Sequence, residues 1–353
     1  YTSGSTGRPK GVTLTHRNVT FAADSIIEYL GMEARDRVLC ALPLSFDYGL
    51  YQLLMSVRVG AALVLEEGFS FPGRLVQLLE REEITVLPGV PTMFQVLTSL
   101  RGLAERPLPH LRLLTNTGAA LDMGLIEAVL RTFPGAALHS MYGLTECKRA
   151  THLPPSELAV RPGSVGVAIP GTEAWVDDGE GGRADPGVVG ELMVRGAHVM
   201  QGYWGDPDAT AARLRPGRWP WERTLATGDL FRADEDGYLY FVGRNDELIK
   251  TRGEKVYPRE VEEVLLAIEG VREAVVFGVP DKLLGEAVDA HVALEDGCDS
   301  SAEQLRRGCA ERLEGHKVPA AVTVHEELPR TSRGKVDRRL LAQLRSARVK
   351  SGS

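Results

Sequence analysis

The first eleven residues combine small hydroxyl side chains, glycines and a lysine, a composition suited to holding phosphate. The stretch reads Tyr1-Thr2-Ser3-Gly4-Ser5-Thr6-Gly7-Arg8-Pro9-Lys10-Gly11. Glycines let backbone N–H groups turn toward an anion, hydroxyls add donors, and Lys10 adds positive charge. The Gly-Lys-Ser/Thr step of the common P-loop does not occur here. Runs of Gly, Ser and Thr are usually plain loops, so the residues alone leave two interpretations open, an ordinary loop and a phosphate-binding loop of another kind.

Further stretches place charged or hydroxyl side chains beside glycine and follow one another along the chain. They are Tyr142-Gly143-Leu144-Thr145-Glu146, Gly190-Glu191-Leu192 through Gly202-Tyr203-Trp204, Thr227-Gly228-Asp229-Leu230, Gly243-Arg244-Asn245-Asp246, and Pro329 through Gly334-Lys335. With the opening loop, they resemble in type and order the motifs of the adenylate-forming superfamily, which comprises acyl-CoA synthetases, peptide-synthetase adenylation domains and luciferases. The resemblance extends to about Leu340, and Leu144 is typical of the acyl-CoA ligase branch.

The resemblance implies that the protein activates a carboxylic acid. The carboxylate attacks the α-phosphorus of ATP, pyrophosphate leaves, and a thiol then takes the acyl group. The opening loop would hold the departing phosphates through Thr2, Ser3, Gly4, Ser5, Thr6, Gly7 and Lys10. Thr145 and Glu146 would act on the phosphates, with Glu146 also holding Mg²⁺, a cation that prefers oxygen ligands.

The resemblance also assigns nucleotide-binding and catalytic roles further along the chain. Tyr142, Asp229 and Arg244 would bind the nucleotide, and a carboxylate such as Asp229 can accept hydrogen bonds from both ribose hydroxyls. Lys335 would bridge the attacking carboxylate and the α-phosphate, because a compact ammonium on a flexible stem can enter the site for one half-reaction. Asp246 would be the hinge on which a small domain changes orientation between the half-reactions.

The loop between Lys250 and Lys255 would line the tunnel for the thiol. Within this loop, Arg252 supplies charge, and Gly253 allows close approach of a pantetheine arm. A charge run of this kind is otherwise an ordinary solvated surface, so the role in CoA binding is implied by the resemblance alone.

The acid-binding pocket is expected to contain Phe46, Asp47, Asn116, Gly118 and Met141. Asp47 has two interpretations, because a buried carboxylate needs a cation. Phe46-Asp47 resembles the step that binds the α-ammonium of an amino acid in peptide-synthetase domains. Alternatively, Asp47 pairs internally with one of the two basic residues at positions 148 and 149.

Two stretches favour CoA as the thiol acceptor. Residues 191–196 and 255–262 read like acyl-CoA synthetases, and no carrier-protein segment follows. We therefore expect an AMP-forming acyl-CoA ligase of fatty acid metabolism that uses ATP, Mg²⁺ and CoA on a small carboxylic acid. The alternative is a stand-alone enzyme that adenylates an amino acid or acyl group and loads the phosphopantetheine of an acyl carrier protein. A third class, an inactive nucleotide-binding remnant, is disfavoured by Lys335, Glu146 and Asp229.

Composition narrows the class of protein. The chain has 353 residues, of which 43% are hydrophobic and 25% charged, as in ordinary globular proteins. A formal net charge of -7 and a pI of about 5.7 argue against a nucleic-acid-binding protein. The cysteines, at positions 40, 147, 298 and 309, form no CxxC pair, and no apolar run reaches the ~20 residues of a membrane span. A cytoplasmic setting with reduced thiols fits this pattern.

The chain changes character twice along its length. Strands alternate with amphipathic helices to about residue 153, which predicts an α/β fold with a mostly parallel sheet. Residues 154–245 are rich in glycine and proline and predict a β-rich, barrel-like subdomain without helices. We expect residues 1–245 to form the large AMP-binding domain, residues 246–340 a small mobile α+β domain, and residues 341–353 a tail. A capping box at Ser300–Glu303 is expected to begin a helix of the small domain.

Members of this superfamily carry a segment before the phosphate loop. The resemblance therefore implies an N-terminally truncated large domain, in which we expect an incomplete core and exposed apolar surface.

Overall fold

The computed structural model describes residues 1–3, 9–281, 283–330, 336–338 and 340–344. The chain divides into two compact units, Tyr1–Phe241 and Val242–Ser353. The predicted boundary after residue 245 stays a prediction. None of the described helices is both long and apolar enough to cross a membrane.

The first part of the large unit alternates helices and strands. Its helices are α1 (His16–Leu30), α2 (Asp47–Val59), α3 (Pro72–Arg81), α4 (Pro91–Ser99) and α5 (Met123–Thr132). Its strands are β1 (Thr2–Ser3), β2 (Pro9–Lys10), β3 (Val12–Thr13), β4 (Arg37–Cys40), β5 (Ala62–Leu65), β6 (Val86–Gly89), β7 (Leu113–Asn116) and β8 (Ala137–Tyr142). Strands β5, β4, β6, β7 and β8 lie side by side in that order and pair in parallel. The predicted α/β fold class is confirmed.

The central parallel strands are short and buried from end to end. All four residues of β6 and all four of β7 are buried. Parallel strands covered by helices on both faces have this continuous burial rather than an alternating pattern. Because the strands are parallel, their carboxyl ends lie at the same edge of the sheet, and the loops that follow them are close together.

Antiparallel strands continue the same sheet beyond β8. They are β9 (Thr151–Leu153), β10 (Ser164–Ala168), β11 (Glu173–Val176), β12 (Gly190–Arg195), β14 (Leu214–Pro216), β15 (Arg223–Ala233) and β16 (Leu239–Arg244). The sheet runs on from β8 in the order β9, β10, β16, β15, β12, β11, and β14 pairs with β15. Strand β13 (Gly202–Tyr203) pairs separately with β3.

One expectation for this β-rich part is wrong. It contains a helix, α6 (Pro207–Arg213), whose N-cap Asp206 accepts a hydrogen bond from the Ala209 amide at 3.0 Å. An Asp N-cap followed by Pro at the first helical position is a known helix start, because Pro has no N–H to leave unsatisfied there.

Within the described residues, two helices of the second unit pack against a five-stranded sheet. Its elements are β17 (Ile249–Thr251), β18 (Glu254–Val256), α7 (Pro258–Leu266), β19 (Val271–Asp281), β20 (Gly285–Leu294), α8 (Ala302–Ala310) and β21 (Ala321–His325). A capping box does begin α8, but it lies one residue later than predicted. Ser301 and Gln304 form it, not Ser300 and Glu303, because Gln304 Oε1 accepts the Ser301 N–H at 2.8 Å.

One buried carboxylate, that of Asp36, joins the amino-terminal ends of the parallel strands. Asp36 precedes β4 and is only 1% exposed. Its Oδ1 accepts hydrogen bonds from Thr85 Oγ1 at 2.7 Å and Arg112 Nε at 2.9 Å, the residues that precede β6 and β7. Its Oδ2 accepts the Glu33 N–H at 2.8 Å and Arg112 Nη2 at 2.6 Å. The backbone carbonyl of Asp36 accepts the Ala62 N–H at the start of β5.

These contacts fix the ionisation of Asp36. Burial acts to raise its pKa, but the hydrogen bonds from Arg112, the Glu33 amide and Thr85 outweigh burial and hold the pKa below 3.8. The carboxylate therefore contributes stability above about pH 4, and that contribution is lost as the pH falls through the lowered pKa.

We predict that Asp36→Asn lowers the free energy of unfolding by about 2–3 kcal/mol at pH 7, because hydrogen bonds to a charged acceptor are lost. The gap between the two proteins should narrow at pH 3, where wild type begins to lose the same charge. Urea unfolding at both pH values measures this. The matched control is Asp24→Asn, which removes the exposed Asp24–Arg58 pair (2.7 Å) and should lower the free energy of unfolding much less, because solvent screens exposed pairs. Equal losses for the two variants would contradict the role given to Asp36.

Candidate active site

The structure places the predicted site residues in both units. The large unit contains Thr2, Ser3, Lys10, Phe46, Asp47, Asn116, Gly118, Met141, Tyr142, Thr145, Glu146 and Asp229. The second unit contains Arg244, Asp246, Arg252 and Gly253. Gly4, Ser5, Thr6, Gly7 and Lys335 lie outside the described residues, as does the side chain of Ser3.

Tyr142 and Asp229 meet within the large sheet. Tyr142 ends β8, Asp229 lies in β15, and the Tyr142 hydroxyl donates a hydrogen bond to Asp229 Oδ2 at 2.6 Å. Burial and the neighbouring Asp229 carboxylate both hold the pKa of Tyr142 well above its usual value. The phenol therefore stays protonated and orients the carboxylate as a hydrogen-bond donor.

The backbone just before Asp229 makes a turn inside β15. Gly228 has φ +75°, a left-handed conformation that favours glycine. Its N–H donates to Glu191 Oε1 at 2.7 Å, and Thr227 Oγ1 donates to the Leu192 carbonyl at 2.9 Å. The turn is therefore fastened to β12 at Thr227 and at the Gly228 amide, directly before Asp229.

Glu146 forms a second group with Tyr203 and Lys10. Glu146 is buried in the turn after β8, and its Oε1 accepts the Tyr203 hydroxyl at 2.7 Å. The Lys10 ammonium lies over the Tyr203 ring, 5.1 Å from its centroid. The pairing of β13 with β3 brings these residues together, since Tyr203 is opposite Val12. Burial, followed by the Glu146 carboxylate, raises the pKa of Tyr203.

The opening strand belongs to the same region, because β1 pairs with β2 and Thr2 is opposite Lys10. Thr145 precedes Glu146 directly and is partly exposed. One ammonium, that of Lys10, and one carboxylate, that of Glu146, therefore meet at Tyr203. A carboxylate is the donor type that Mg²⁺ prefers, and Mg²⁺ needs few protein ligands when phosphates and waters supply the rest. The Glu146 side chain fits that requirement.

The predicted acid pocket forms a third group at the carboxyl ends of the parallel strands. Phe46 lies against Gly118, where an added Cβ would be 3.9 Å from the Phe46 ring. Phe46 also meets Tyr48 edge-on, with 6.3 Å between ring centroids. The Tyr48 hydroxyl donates to the Thr115 carbonyl at 2.8 Å. These contacts bring residues that follow β4 and β7 together.

Asn116 and Met141 are the buried members of this group. The Asn116 amide donates to the Ala119 carbonyl at 3.0 Å, which shapes the loop that contains Gly118. The Met141 sulfur accepts the Tyr29 hydroxyl at 2.8 Å. Both side chains are therefore held by contacts within the protein at the carboxyl ends of β7 and β8.

Asp47 has an internal cation. Lys148 Nζ lies 3.8 Å from Asp47 Oδ2, and both side chains are largely buried. Burial lowers the pKa of Lys148, while the Asp47 carboxylate acts in the opposite direction. Of the two interpretations of Asp47, this geometry favours internal pairing, and it makes Lys148 the partner.

Arg149 is the site residue that sequence reasoning missed, having considered it only as a partner for Asp47. Its Nη1 donates to Thr117 Oγ1 at 3.1 Å, and its guanidinium lies over the Tyr48 ring, 5.1 Å from the centroid. It also acts electrostatically on Tyr29, whose pKa burial raises and Arg149 acts to lower. The available signal was a pair of consecutive basic residues, separated from the Thr145-Glu146 motif only by Cys147.

In the second unit, the predicted residues occupy two turns. Arg244 Nε donates to Asp246 Oδ1 at 3.0 Å. Arg252 (φ +55°) and Gly253 (φ +83°) form the exposed two-residue turn between β17 and β18. Positive φ at both central positions matches the twist of a tight hairpin.

The large unit thus combines three groups. They are the Asp229 carboxylate oriented by Tyr142, the Glu146 carboxylate and Lys10 ammonium that both contact Tyr203, and a pocket with aromatic, amide and guanidinium side chains. Such an arrangement can bind a polyhydroxylated, phosphorylated molecule next to an organic acid.

Comparison with known proteins agrees with this geometry. The family model described as "AMP-binding enzyme" matches residues 1–204, and that described as "AMP-binding enzyme C-terminal domain" matches residues 260–335. The chain is 35% identical over 347 residues to a long-chain-fatty-acid–CoA ligase of Bacillus subtilis, which covers 97% of this chain and 60% of the relative. The chain therefore spans about three fifths of the length of that relative.

Two solved structures have the same fold. The first is ATP-bound MatB from Rhodopseudomonas palustris, with a TM-score of 0.88 and 32% identity over 98% of this chain and 67% of that one. The second is o-succinylbenzoate CoA synthetase from Bacillus subtilis in complex with its acyl-adenylate intermediate. Its TM-score is 0.85, with 35% identity over 97% of this chain and 68% of that one.

The Gly228 turn generates a prediction about stability. A Cβ at Gly228 would clash with Arg213 Nη1, which donates to the Ala226 carbonyl at 3.3 Å, so Gly228→Ala must displace that guanidinium. Gly237 has a similar φ of +82° and nothing within 4 Å of its Cβ position. We expect Gly237→Ala to cost about 1–2 kcal/mol from backbone strain. We expect Gly228→Ala to cost about 1 kcal/mol more.

Urea unfolding of both variants measures the difference. Equal losses would mean that Arg213 moves aside without cost, and the contact would then not stabilise the turn.

Proposed function

The chain belongs to the AMP-binding enzyme family, and we propose that it activates a carboxylic acid with ATP. The acid forms an acyl-adenylate with release of pyrophosphate, and the acyl group then passes to a thiol. One observation carries this proposal. The motif residues, which follow the order of an adenylate-forming enzyme, meet in the structure. The Tyr142 hydroxyl donates to the buried Asp229 carboxylate at 2.6 Å, and both Glu146 and Lys10 contact Tyr203.

Asp229 is proposed to bind the ribose of ATP. A carboxylate can accept two hydrogen bonds, which suits a vicinal diol. The Tyr142 hydroxyl already donates one hydrogen bond to Oδ2, and this bond orients the carboxylate. Arg244 is proposed to support the same ribose, as the family motif implies.

Glu146 and Lys10 are proposed to act on the phosphates. Lys10, with the hydroxyls of Thr2, Ser3, Thr145 and the loop residues outside the described range, offers donors to the departing pyrophosphate. Mg²⁺, when bound, would neutralise phosphate charge beside Glu146. Glu146 is already oriented for this by the Tyr203 hydroxyl at 2.7 Å.

Lys335, Asp246 and the turn at Arg252 and Gly253 are proposed to serve the alternation between half-reactions. Lys335 would bridge the reacting carboxylate and the α-phosphate. Asp246 would be the hinge, and the Arg252–Gly253 turn would admit the pantetheine arm, since its two positive φ values make a narrow exposed tip.

CoA is proposed as the acceptor thiol. The relative from Bacillus subtilis is named a CoA ligase, and the neighbour with the bound acyl-adenylate is named a CoA synthetase. The phosphopantetheine of an acyl carrier protein is the alternative acceptor. A small carboxylic acid is the proposed substrate.

The test of this function follows the α-phosphate of ATP. The full-length protein is incubated with α-³²P-labelled ATP, Mg²⁺, CoA and a panel of fatty, aryl, dicarboxylic and amino acids. We expect acid-dependent formation of AMP and pyrophosphate. Formation of ADP and orthophosphate, or no acid-dependent product from any member of the panel, would overturn the proposal.

We predict that Lys335→Ala separates the two half-reactions. Acid-dependent exchange of pyrophosphate into ATP should fall roughly 100- to 1,000-fold, because a charge that stabilises the adenylation transition state is removed. Thioester formation from a supplied acyl-adenylate should change only a few-fold.

The matched control is Arg306→Ala, which removes an exposed cation from α8 in the same unit and should leave both half-reactions intact. If Lys335→Ala lowers both half-reactions equally, the assigned role is wrong.

A further inference from the structure

Arg149 is a buried cation without a carboxylate partner. Only 5% of its surface is exposed. Among the described residues it forms no ion pair, and its Nε has no hydrogen-bond acceptor. The acceptors that it does reach are uncharged: Thr117 Oγ1 at 3.1 Å and the Lys148 carbonyl at 3.4 Å. A guanidinium has five N–H donors, and at Arg149 the Nε–H is unused.

Neither of the nearby carboxylates, Asp47 and Glu146, forms an ion pair with Arg149. Lys148 and Arg149 are consecutive cations, and the carboxylate that pairs here, Asp47, is 3.8 Å from Lys148. Glu146, the other buried carboxylate of this segment, accepts the Tyr203 hydroxyl at 2.7 Å instead. A buried ion without a counterion is costly, and the cost is removed when an anion arrives with matching geometry. A carboxylate matches the guanidinium fork in two parallel hydrogen bonds.

The position of Arg149 is next to the proposed acid pocket. Thr117, its hydrogen-bond partner, lies between the pocket residues Asn116 and Gly118. Tyr48, under the guanidinium, contacts Phe46. Through Tyr29, Arg149 is also linked to Met141. Four of the five predicted pocket residues therefore lie within one or two contacts of this guanidinium.

We propose that the substrate is an acid with a second carboxylate, and that Arg149 binds this second carboxylate while the first reacts. Arg149 is then a specificity-determining residue of the site. This inference rests on the proposed function, because it names the class of acid that the site activates.

The opposing assignment is that Arg149 binds the reacting carboxylate itself. In that case mono- and dicarboxylic acids would depend on Arg149 equally. A probe that differs only in the second carboxylate therefore separates the two assignments.

The experiment compares α,ω-dicarboxylic acids with their monomethyl esters. Succinate, glutarate, adipate and suberate are each tested beside the monomethyl ester, which retains one reactive carboxylate and neutralises the other at nearly the same shape. Acid-dependent AMP formation in the full-length protein gives kcat and KM. We expect at least one diacid to exceed its ester by roughly 10- to 100-fold in kcat/KM, as hydrogen bonds to a charged group imply.

Substitution of Arg149 tests the same preference. Arg149→Met keeps the length of the side chain and removes the charge, so the diacid-to-ester ratio should fall to about one, mainly through a higher KM for the diacid. Arg149→Lys keeps the charge without the planar fork and should retain part of the preference. The control Arg101→Met removes an exposed cation of the same unit and should leave the ratio unchanged.

Three outcomes would overturn the inference. Every ester could react as well as its diacid, Arg149→Met could lower both reactions equally, or fatty acids could support AMP formation while no diacid does. The wild-type comparison decides the matter even if Arg149→Met fails to fold. If no acid of any class yields AMP, the proposed function fails, and this inference fails with it.

Discussion

The architecture of the large unit depends on a single buried carboxylate. The Asp36 carboxylate accepts hydrogen bonds from Thr85 and Arg112, which precede two other parallel strands. Its backbone carbonyl accepts the N–H of Ala62, the first residue of a third. Parallel strands have no tight turns to hold their ends in register, so their alignment must come from contacts of this kind. Because the four strands are aligned at their amino-terminal ends, their carboxyl ends are also aligned, about four residues away.

The consequence of that alignment is the site. The loops after β4, β7 and β8 supply Phe46, Thr117 and Glu146 respectively, and they meet because the strands end together. Binding at the carboxyl edge of a parallel sheet is the general expectation for open α/β folds. The antiparallel strands then add Asp229 from the side, where the turn at Gly228 breaks the regular pleat of β15.

The sequence was sufficient for the fold class and for the elements with strong local signals. Helix α1 has a capping box at Thr15 and Asn18 and a left-handed Gly31 at its end, so its pattern was readable. Helix α2 was missed, since its N-cap Phe46 makes no side-chain capping bond and its first residues read as a pocket loop. Strand β15 was not predicted, because the consecutive glycine and aspartate at positions 228 and 229 favour a turn.

The site was predictable to the extent that it lies in local motifs. Tyr142, Glu146 and Asp229 could be named, but the hydrogen bonds that Tyr142 and Tyr203 make to these carboxylates could not. Those bonds join residues 87 and 57 positions apart. The same limit left the partner of Asp47 open, since the choice between Lys148 and Arg149 depends on which way the backbone turns after Glu146.

That turn is made by Lys148, whose φ of +67° is unusual for a residue with a side chain. Lys148 lies in the chain between Glu146, whose carboxylate binds Tyr203, and Arg149, whose guanidinium binds Thr117. The three peptide units that connect Glu146 to Arg149 are thus shared by the two halves of the pocket. Under the proposed function, ordering of this short segment by ATP or by the acid would leave less conformational entropy for the other ligand to remove, so the two would bind with positive synergy.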